Sequence, residues 1–355
     1  MEIRIERSKN LKAKPDWNKP LGFGSVFTDH MFLMDYDEGQ GWHDARIVPF
    51  GNLCYHPAAC VFHYGVEIFE GMKAYKAEDG RVLLFRPDAN ARRMNRSAER
   101  LCIPTIPVED FVQAVRQLVD IERDWVPDKK DMSLYIRPTI VATEPHLGVS
   151  CSKSYTFFII VCPVGAYYPE GLNPVKIYVE DTMSRAAIGG TGFCKCGGNY
   201  AASLLAQVNA HAAGYSQVLW LDGAEHKYLD EVGTMNFMLK IDGEILTPSL
   251  DSGSILPGIT RDSILTMLRE WGYKATERLI TLEEVKEAAE NGKLEEAWGT
   301  GTAAVISPVG ELNIHNKSYI LSGGKIGELS QKLYDSLTDI QWGRVKDTHG
   351  WGVEI

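Results

Sequence analysis

The chain has 355 residues, 45% of them hydrophobic and 24% charged, the balance of a globular protein long enough for two domains. Its formal net charge is −10 and it has no dense Lys/Arg run, so a nucleic-acid-binding surface is not expected. The longest apolar run, Phe157 to Val164, falls well short of the ~20 residues of a membrane span, and the N-terminus carries no signal-peptide pattern. A cytoplasmic protein acting on small molecules is the expectation. Seven scattered cysteines without a CxxC, and nine histidines without HxxxH or HExxH spacing, predict reduced thiols and no metal.

In chain order, residues 109–125 place Val112, Val115, Leu118, Val119 and Ile121 at helical spacing, with Pro127 just beyond. Residues 154–164 are aromatic and β-branched and predict a buried strand. Residues 165–171 carry loop punctuation, so the domains are set at 1–166 and 176–355, joined by a loop over 167–175. A strand is expected from Val175. A helix is expected over residues 200–213, with Leu204, Leu205 and Val208 turned inward and Gly214 closing it. A strand follows at Val218 to Leu221, then a hairpin turning at Asp242-Gly243. Thr281 and Glu284 predict a capping box for a helix ending at Asn291-Gly292, and residues 326–340 a last amphipathic helix. The fold class expected is mixed α/β, in two domains with the active site between them.

Several segments stand out chemically. Lys195 lies in Gly189-Gly190-Thr191-Gly192-Phe193-Cys194-Lys195-Cys196-Gly197-Gly198-Asn199-Tyr200, where glycines permit close backbone approach. If residues 193–196 run extended, Lys195 points away from the face of Cys194 and Cys196. A glycine-rich loop with an exposed lysine is the competing reading. Glu231 precedes Val232-Gly233-Thr234-Met235-Asn236 and is the carboxylate candidate, although a solvated turn acid is the usual reading of such a segment taken singly. Leu256-Pro257-Gly258-Ile259-Thr260-Arg261 opens a helix predicted over residues 262–271, whose free amides favour an anion. Gly299-Thr300-Gly301-Thr302-Ala303 offers amides and hydroxyls, and Arg93 a charge, while Arg92 and Arg96 read as exposed helix arginines. Together these supply candidates for what pyridoxal phosphate requires: an amine, a carboxylate for the ring nitrogen, a phosphate cradle and a partner for the phenolic oxygen.

In this order the motifs resemble the branched-chain amino-acid aminotransferases of the fold-type IV pyridoxal-phosphate enzymes, over nearly the whole chain. The resemblance also rests on Phe27-Thr28-Asp29-His30-Met31, Phe69-Glu70-Gly71-Met72-Lys73, Ser133-Leu134-Tyr135-Ile136-Arg137-Pro138 and Trp342-Gly343. It implies that Lys195 holds the cofactor as an imine and shuttles the proton, that Glu231 pairs with the pyridine nitrogen, and that Tyr200 binds the phenolic oxygen. It places Arg93, Leu256, Gly258, Ile259, Thr260 and Thr302 at the phosphate and Thr234 beside the ring. Phe23, Tyr64, Phe69, Tyr135, Tyr167, Thr234 and Ala303 would line the substrate pocket, with Arg137 receiving the side-chain carboxylate of glutamate. Pyridoxal 5'-phosphate as cofactor, amino acids and 2-oxo acids as substrates, and a homodimer are what this likeness implies. Certain animal relatives use a CxxC redox switch, and here Ala304 and Ser307 stand at those positions.

Overall fold

The computed structural model describes residues 1–165 and 172–355, which form two compact units. The first holds the described residues up to Gly165 together with Cys194–Gly197 and Asp339–Ile355, and the second holds the rest. The lysine segment therefore belongs to the first unit although its chain neighbours belong to the second. Most of the loop read at residues 165–171 lies outside the described residues.

The first unit is built on a nine-stranded sheet. Its centre is Ser154–Val164, antiparallel to His30–Asp37 on one side and to Ser133–Ala142 on the other. Alternation places Phe157, Ile159 and Val161 fully inside, where each large apolar side chain contributes ~1.5–3 kcal/mol by leaving water. The strand Met72–Lys76 continues the sheet beyond Ser133–Ala142, and the short strand Glu67–Phe69 pairs beside it. Both come from the motif around Phe69. The helix expected over residues 109–125 forms as Val108–Ile121, followed by a 3-10 turn Arg123–Trp125. Phe111 on that helix stacks on Phe157 with ring centroids 5.9 Å apart.

Periodicity picked out one helix in this half, and the structure adds Pro87–Arg100. Its apolar stripe is thin, Ala91, Met94 and Ala98, which is why the pattern is faint. Pro87 at its first position and Asp88 in its first turn are favourable start signals. Arg92 and Arg96 are exposed on it as expected, and Arg93 is buried.

The second unit holds another nine-stranded sheet. Leu229–Val232 pairs with Gln217–Leu221 at one end of the order and also with Met235–Ile241, so six strands close on themselves. The enclosed core includes Ile177, Leu219, Phe237, Leu239, Ala297 and Leu312. The hairpin turn forms at Asp242 and Gly243 with φ of 52° and 79°, the left-handed pair that a two-residue loop requires.

Three expectations need correction here. The helix over residues 200–213 is broken into Gly197–Ala201 and Leu204–Ala212. On the second piece Ala206 and Ala210 face inward, against Val218 and Trp220, whereas Leu204, Leu205 and Val208 are 60%, 62% and 62% exposed. Small residues let the helix approach the sheet closely, and the large apolar side chains take the opposite face. The capping box is half made: Thr281 Oγ1 accepts from the Glu284 amide at 3.1 Å, but the Glu284 carboxylate turns to Arg278. Among the described residues no helix is long and apolar enough to cross a membrane.

Candidate active site

In the first unit, the chain around Lys195 lies along the strand Glu67–Phe69. The Phe69 amide donates to the Lys195 carbonyl at 2.9 Å, and the Lys195 amide donates to Ser97 Oγ at 3.0 Å. The Gly197 amide donates to the Glu67 carboxylate. These bonds fix the backbone on both sides of the lysine. Lys195 Nζ sits 4.8 Å from the centre of the Phe69 ring. Cys194 and Cys196 are both buried, and the chain reaches the lysine through a turn and bend over residues 191–194 rather than through a strand.

The Lys195 ammonium is pushed down to about 8, first by burial and then by the Arg93 guanidinium, with Glu70 opposing. An amine at that value loses its proton readily near neutrality, which suits both nucleophilic attack and proton transfer.

Arg93 is held rather than exposed. Its Nε and Nη2 donate to the two oxygens of Glu70 at 2.8 and 2.7 Å, a bidentate pair inside the unit. Asn90, one helical turn earlier, donates to Glu70 Oε2 at 2.7 Å. Burial alone would push the Glu70 carboxyl up; the Arg93 charge and these hydrogen bonds outweigh it and hold the group below the ordinary range.

Four of the substrate-pocket candidates gather around the same lysine. Arg137 Nη2 donates to Tyr135 Oη at 3.1 Å, and its guanidinium lies 4.7 Å from the Phe69 ring centre. Phe23 meets Tyr135 edge-on at 4.9 Å. The Tyr64 hydroxyl donates to the Leu147 carbonyl and its ring lies 6.2 Å from that of His63. Tyr167 lies outside the described residues.

In the second unit, Glu231 is buried on Leu229–Val232, so the solvated-turn reading fails. Its Oε1 accepts from the Leu256 amide at 2.8 Å, and its Oε2 lies 3.5 Å from Arg185 Nε. Arg185 Nη2 donates to the Ser254 carbonyl at 2.5 Å, and Ser254 Oγ donates to Asp230 at 2.8 Å. Burial pushes Asp230 up to about 6; of the two adjacent acids, Glu231 is the one that lies directly against the arginine. Gly192 packs onto the Ser254 carbonyl so closely that a Cβ there would overlap it, which explains one glycine of the lysine segment.

The anion-favouring helix runs Ile259–Glu270, starting three residues earlier than the amphipathic pattern suggested. Gly258 stands at its N-cap without a capping side chain, and a Cβ on Gly258 would run into Asn236 Oδ1. The 12-residue helix thus starts without a side-chain cap, and Thr260 is its second residue. Thr302 and Ala303 form the loop joining Leu294–Gly301 to Val305–Ile314, braced where Thr300 Oγ1 donates to the Val305 carbonyl at 2.9 Å. Tyr200 lies in the short helix Gly197–Ala201 and Thr234 at the exposed turn after Glu231.

Sequence reasoning missed Glu67, Glu70, Asn90 and Arg185. For Glu70 a signal existed: Asn90 and Arg93 are spaced for one helix face, an arrangement suited to one buried acid. Among the described residues no cluster of three or more His, Cys, Asp or Glu is placed to hold a metal ion.

The first unit thus offers a buried amine of lowered basicity beside a fixed arginine, and the second a buried carboxylate near a helix start that no side chain caps. These are the groups that carbonyl–amine chemistry on an anionic cofactor uses. Residues 67–312 match the amino-transferase class IV family, and the chain belongs to that family. It is 55% identical over 358 residues to branched-chain-amino-acid transaminase 1 of Bacillus subtilis, covering 100% of both chains. Among solved structures it is similar to the Escherichia coli branched-chain amino acid aminotransferase at 26% identity, with 91% of this chain and 98% of that one covered and a TM-score of 0.75. It shares its fold with the branched-chain amino acid aminotransferase of Thermobaculum terrenum in its PLP form, at 23% identity over 91% and 97% of the two chains, with a TM-score of 0.74.

Proposed function

We propose that the protein is a branched-chain-amino-acid transaminase, carrying the amino group of L-leucine, L-isoleucine or L-valine to 2-oxoglutarate with pyridoxal 5'-phosphate as cofactor. The products are the branched 2-oxo acid and L-glutamate. The full-length identity to the Bacillus subtilis transaminase supports the substrate class. The observation that carries the chemistry is the Lys195 amine, lowered to about 8 beside Arg93.

The donor set fits this cofactor. A buried carboxylate, Glu231, suits a ring nitrogen that must stay protonated, and the uncapped start of Ile259–Glu270 suits a phosphate. When bound, pyridoxal phosphate supplies an aldehyde that takes up the amino group and a ring that stores the electron pair released at the substrate's α-carbon.

The chain's own residues do the rest. Lys195 would hold the cofactor between turnovers, and its freed Nζ would carry the substrate's α-proton to the cofactor's aldehyde carbon. Glu231, with the Arg185 charge beside it, holds the ring nitrogen in its charged form. Tyr200 would donate to the phenolic oxygen, and Arg93, Leu256, Gly258, Thr302 and the amides of Ile259 and Thr260 would hold the phosphate. Thr234 stands beside the ring. Phe23, Tyr64, Phe69 and Tyr135 would offer apolar surface to the substrate's side chain, and Ala303 would do so from its own loop. Arg137 meets the second carboxylate of glutamate, steered by Tyr135.

A homodimer in the cytoplasm completes the reading, supported by the exposed apolar row Leu204, Leu205 and Val208. An initial-rate panel of L- and D-amino acids with 2-oxoglutarate tests the function: high kcat/KM for Leu, Ile and Val is expected, and equal rates for D-alanine and L-leucine would refute it.

A further inference from the structure

Three cysteines, Cys54, Cys102 and Cys151, are exposed, while Cys60, Cys162, Cys194 and Cys196 are buried. Two of the exposed ones, far apart in sequence, meet on the first unit. Cys102 stands just past the helix Pro87–Arg100 in a left-handed conformation, φ 55°. Its carbonyl accepts a hydrogen bond from Tyr155 Oη at 3.2 Å. Cys151 lies three residues before the strand Ser154–Val164, whose second residue is that tyrosine. The Tyr155 hydroxyl thus pins the backbone of one cysteine beside the segment that carries the other.

The side chains then meet directly. The Cys151 thiol hydrogen-bonds the Cys102 sulfur, a contact that pushes the Cys151 thiol up. The Tyr155 hydroxyl, pushed up to about 12 chiefly by burial, senses Cys151, Cys102 and Cys60 together. Neither exposed cysteine has a part in the site described above. Cys194, by contrast, is pushed up to about 11 by burial and is closed to solvent, so the thiols beside Lys195 are packing groups.

We propose that Cys102 and Cys151 form a surface dithiol which a hydroperoxide converts, reversibly, into an intramolecular disulfide. Cys102 is the attacking sulfur in this scheme. Its thiolate attacks the peroxide, the O–O bond breaks, and Cys102 becomes a sulfenic acid while one oxygen leaves as water or an alcohol. Cys151 then displaces the hydroxyl, the S–S bond forms, and a water carries off the second oxygen. Two thiols lose two protons and two electrons, and the peroxide accepts both. The new bond joins the end of the helix bearing Arg93 and Ser97 to the entry of the central strand, and shortens the unfolded chain's freedom.

The test uses the whole purified holoenzyme, reduced, desalted and given one equivalent of hydrogen peroxide, then alkylated, digested and analysed by mass. The expected result is a linked Cys102–Cys151 peptide, loss of two accessible thiols, and Cys54 still alkylated. Exposed Cys54 controls for accessibility without a neighbour. Dithiothreitol should restore both thiols, and the thermal midpoint should rise on oxidation and fall back on reduction. Cys151→Ser should trap Cys102 as a sulfenic acid reactive toward dimedone, and Cys102→Ser should leave Cys151 largely unoxidised. Equal, unlinked oxidation of Cys54, Cys102 and Cys151, a link between two chains, or untouched thiols would each overturn the proposal.

Discussion

Glu231 and Asn236 are paired across antiparallel strands, and their side chains take both backbone groups of Leu256. Glu231 accepts from the Leu256 amide at 2.8 Å, and Asn236 Nδ2 donates to the Leu256 carbonyl at 2.9 Å. One register position therefore positions the acid and also clamps the chain two residues before Gly258. The acid and the start of the helix Ile259–Glu270 are set by the same strand pair.

Exchanging the acid for its amide separates these duties. Glu231→Gln can still accept from the Leu256 amide through its carbonyl oxygen, so the protein should fold and bind cofactor. It cannot keep a ring nitrogen charged, and single-turnover rates with leucine should fall by roughly 100-fold or more, in the range of general acid–base effects. An unchanged rate constant would remove Glu231 from the role.

Glu70 is the partner on which Arg93 depends. Glu70→Gln leaves a buried guanidinium without its counter-charge, at a cost of about 3–5 kcal/mol. Glu70 also holds the Lys195 value up, so its loss should drive that amine further below about 8. Thermal unfolding of the apoprotein and NMR titration of isotopically labelled lysine methyls would report the two effects. A lysine titrating at a higher pH in the variant would contradict the assignment.

Lys73 is a second buried lysine, pushed down by burial from 10.5 to about 8. Because the unfolded chain then binds more protons than the folded one, the folded state gains stability as pH rises from about 8 to 10.5. Below that window the protonated amine carries its full burial cost. Wild type should therefore gain on Lys73→Met by up to about 3 kcal/mol across it. Thermal midpoints of both apoproteins from pH 7 to pH 11 give the difference; one that narrows in the opposite direction would show that Lys73 is stabilised as an ammonium.

Arg137 should matter for one substrate and not the other. Arg137→Met removes a charged donor worth ~1.5–3 kcal/mol to a carboxylate. The kcat/KM for glutamate should drop by roughly 10- to 150-fold, with leucine changing far less because its side chain meets the Phe69 and Tyr135 rings. Parallel losses for both substrates would assign Arg137 to the pocket's architecture instead.

Local signals made much of this legible in the sequence. The glycine-flanked Lys195, the Asp242-Gly243 hairpin and the helix opening after Gly258 each rest on a few consecutive residues, and each forms. Partners distant in the chain were not legible. Glu67 with Gly197 and Arg185 with Glu231 are brought together by topology, which periodicity does not encode. The row Leu204, Leu205 and Val208 misled for a physical reason: apolarity marks a face that leaves water, without saying whether the covering surface lies within the same chain.

The most direct test of the central claim is borohydride reduction of the holoenzyme followed by peptide mapping. Reduction fixes the cofactor to whichever amine holds it. The account predicts one phosphopyridoxyl label, on the peptide containing Lys195, absent from Lys195→Ala. A label on Lys73 or any other lysine, with Lys195 unmodified, would contradict it.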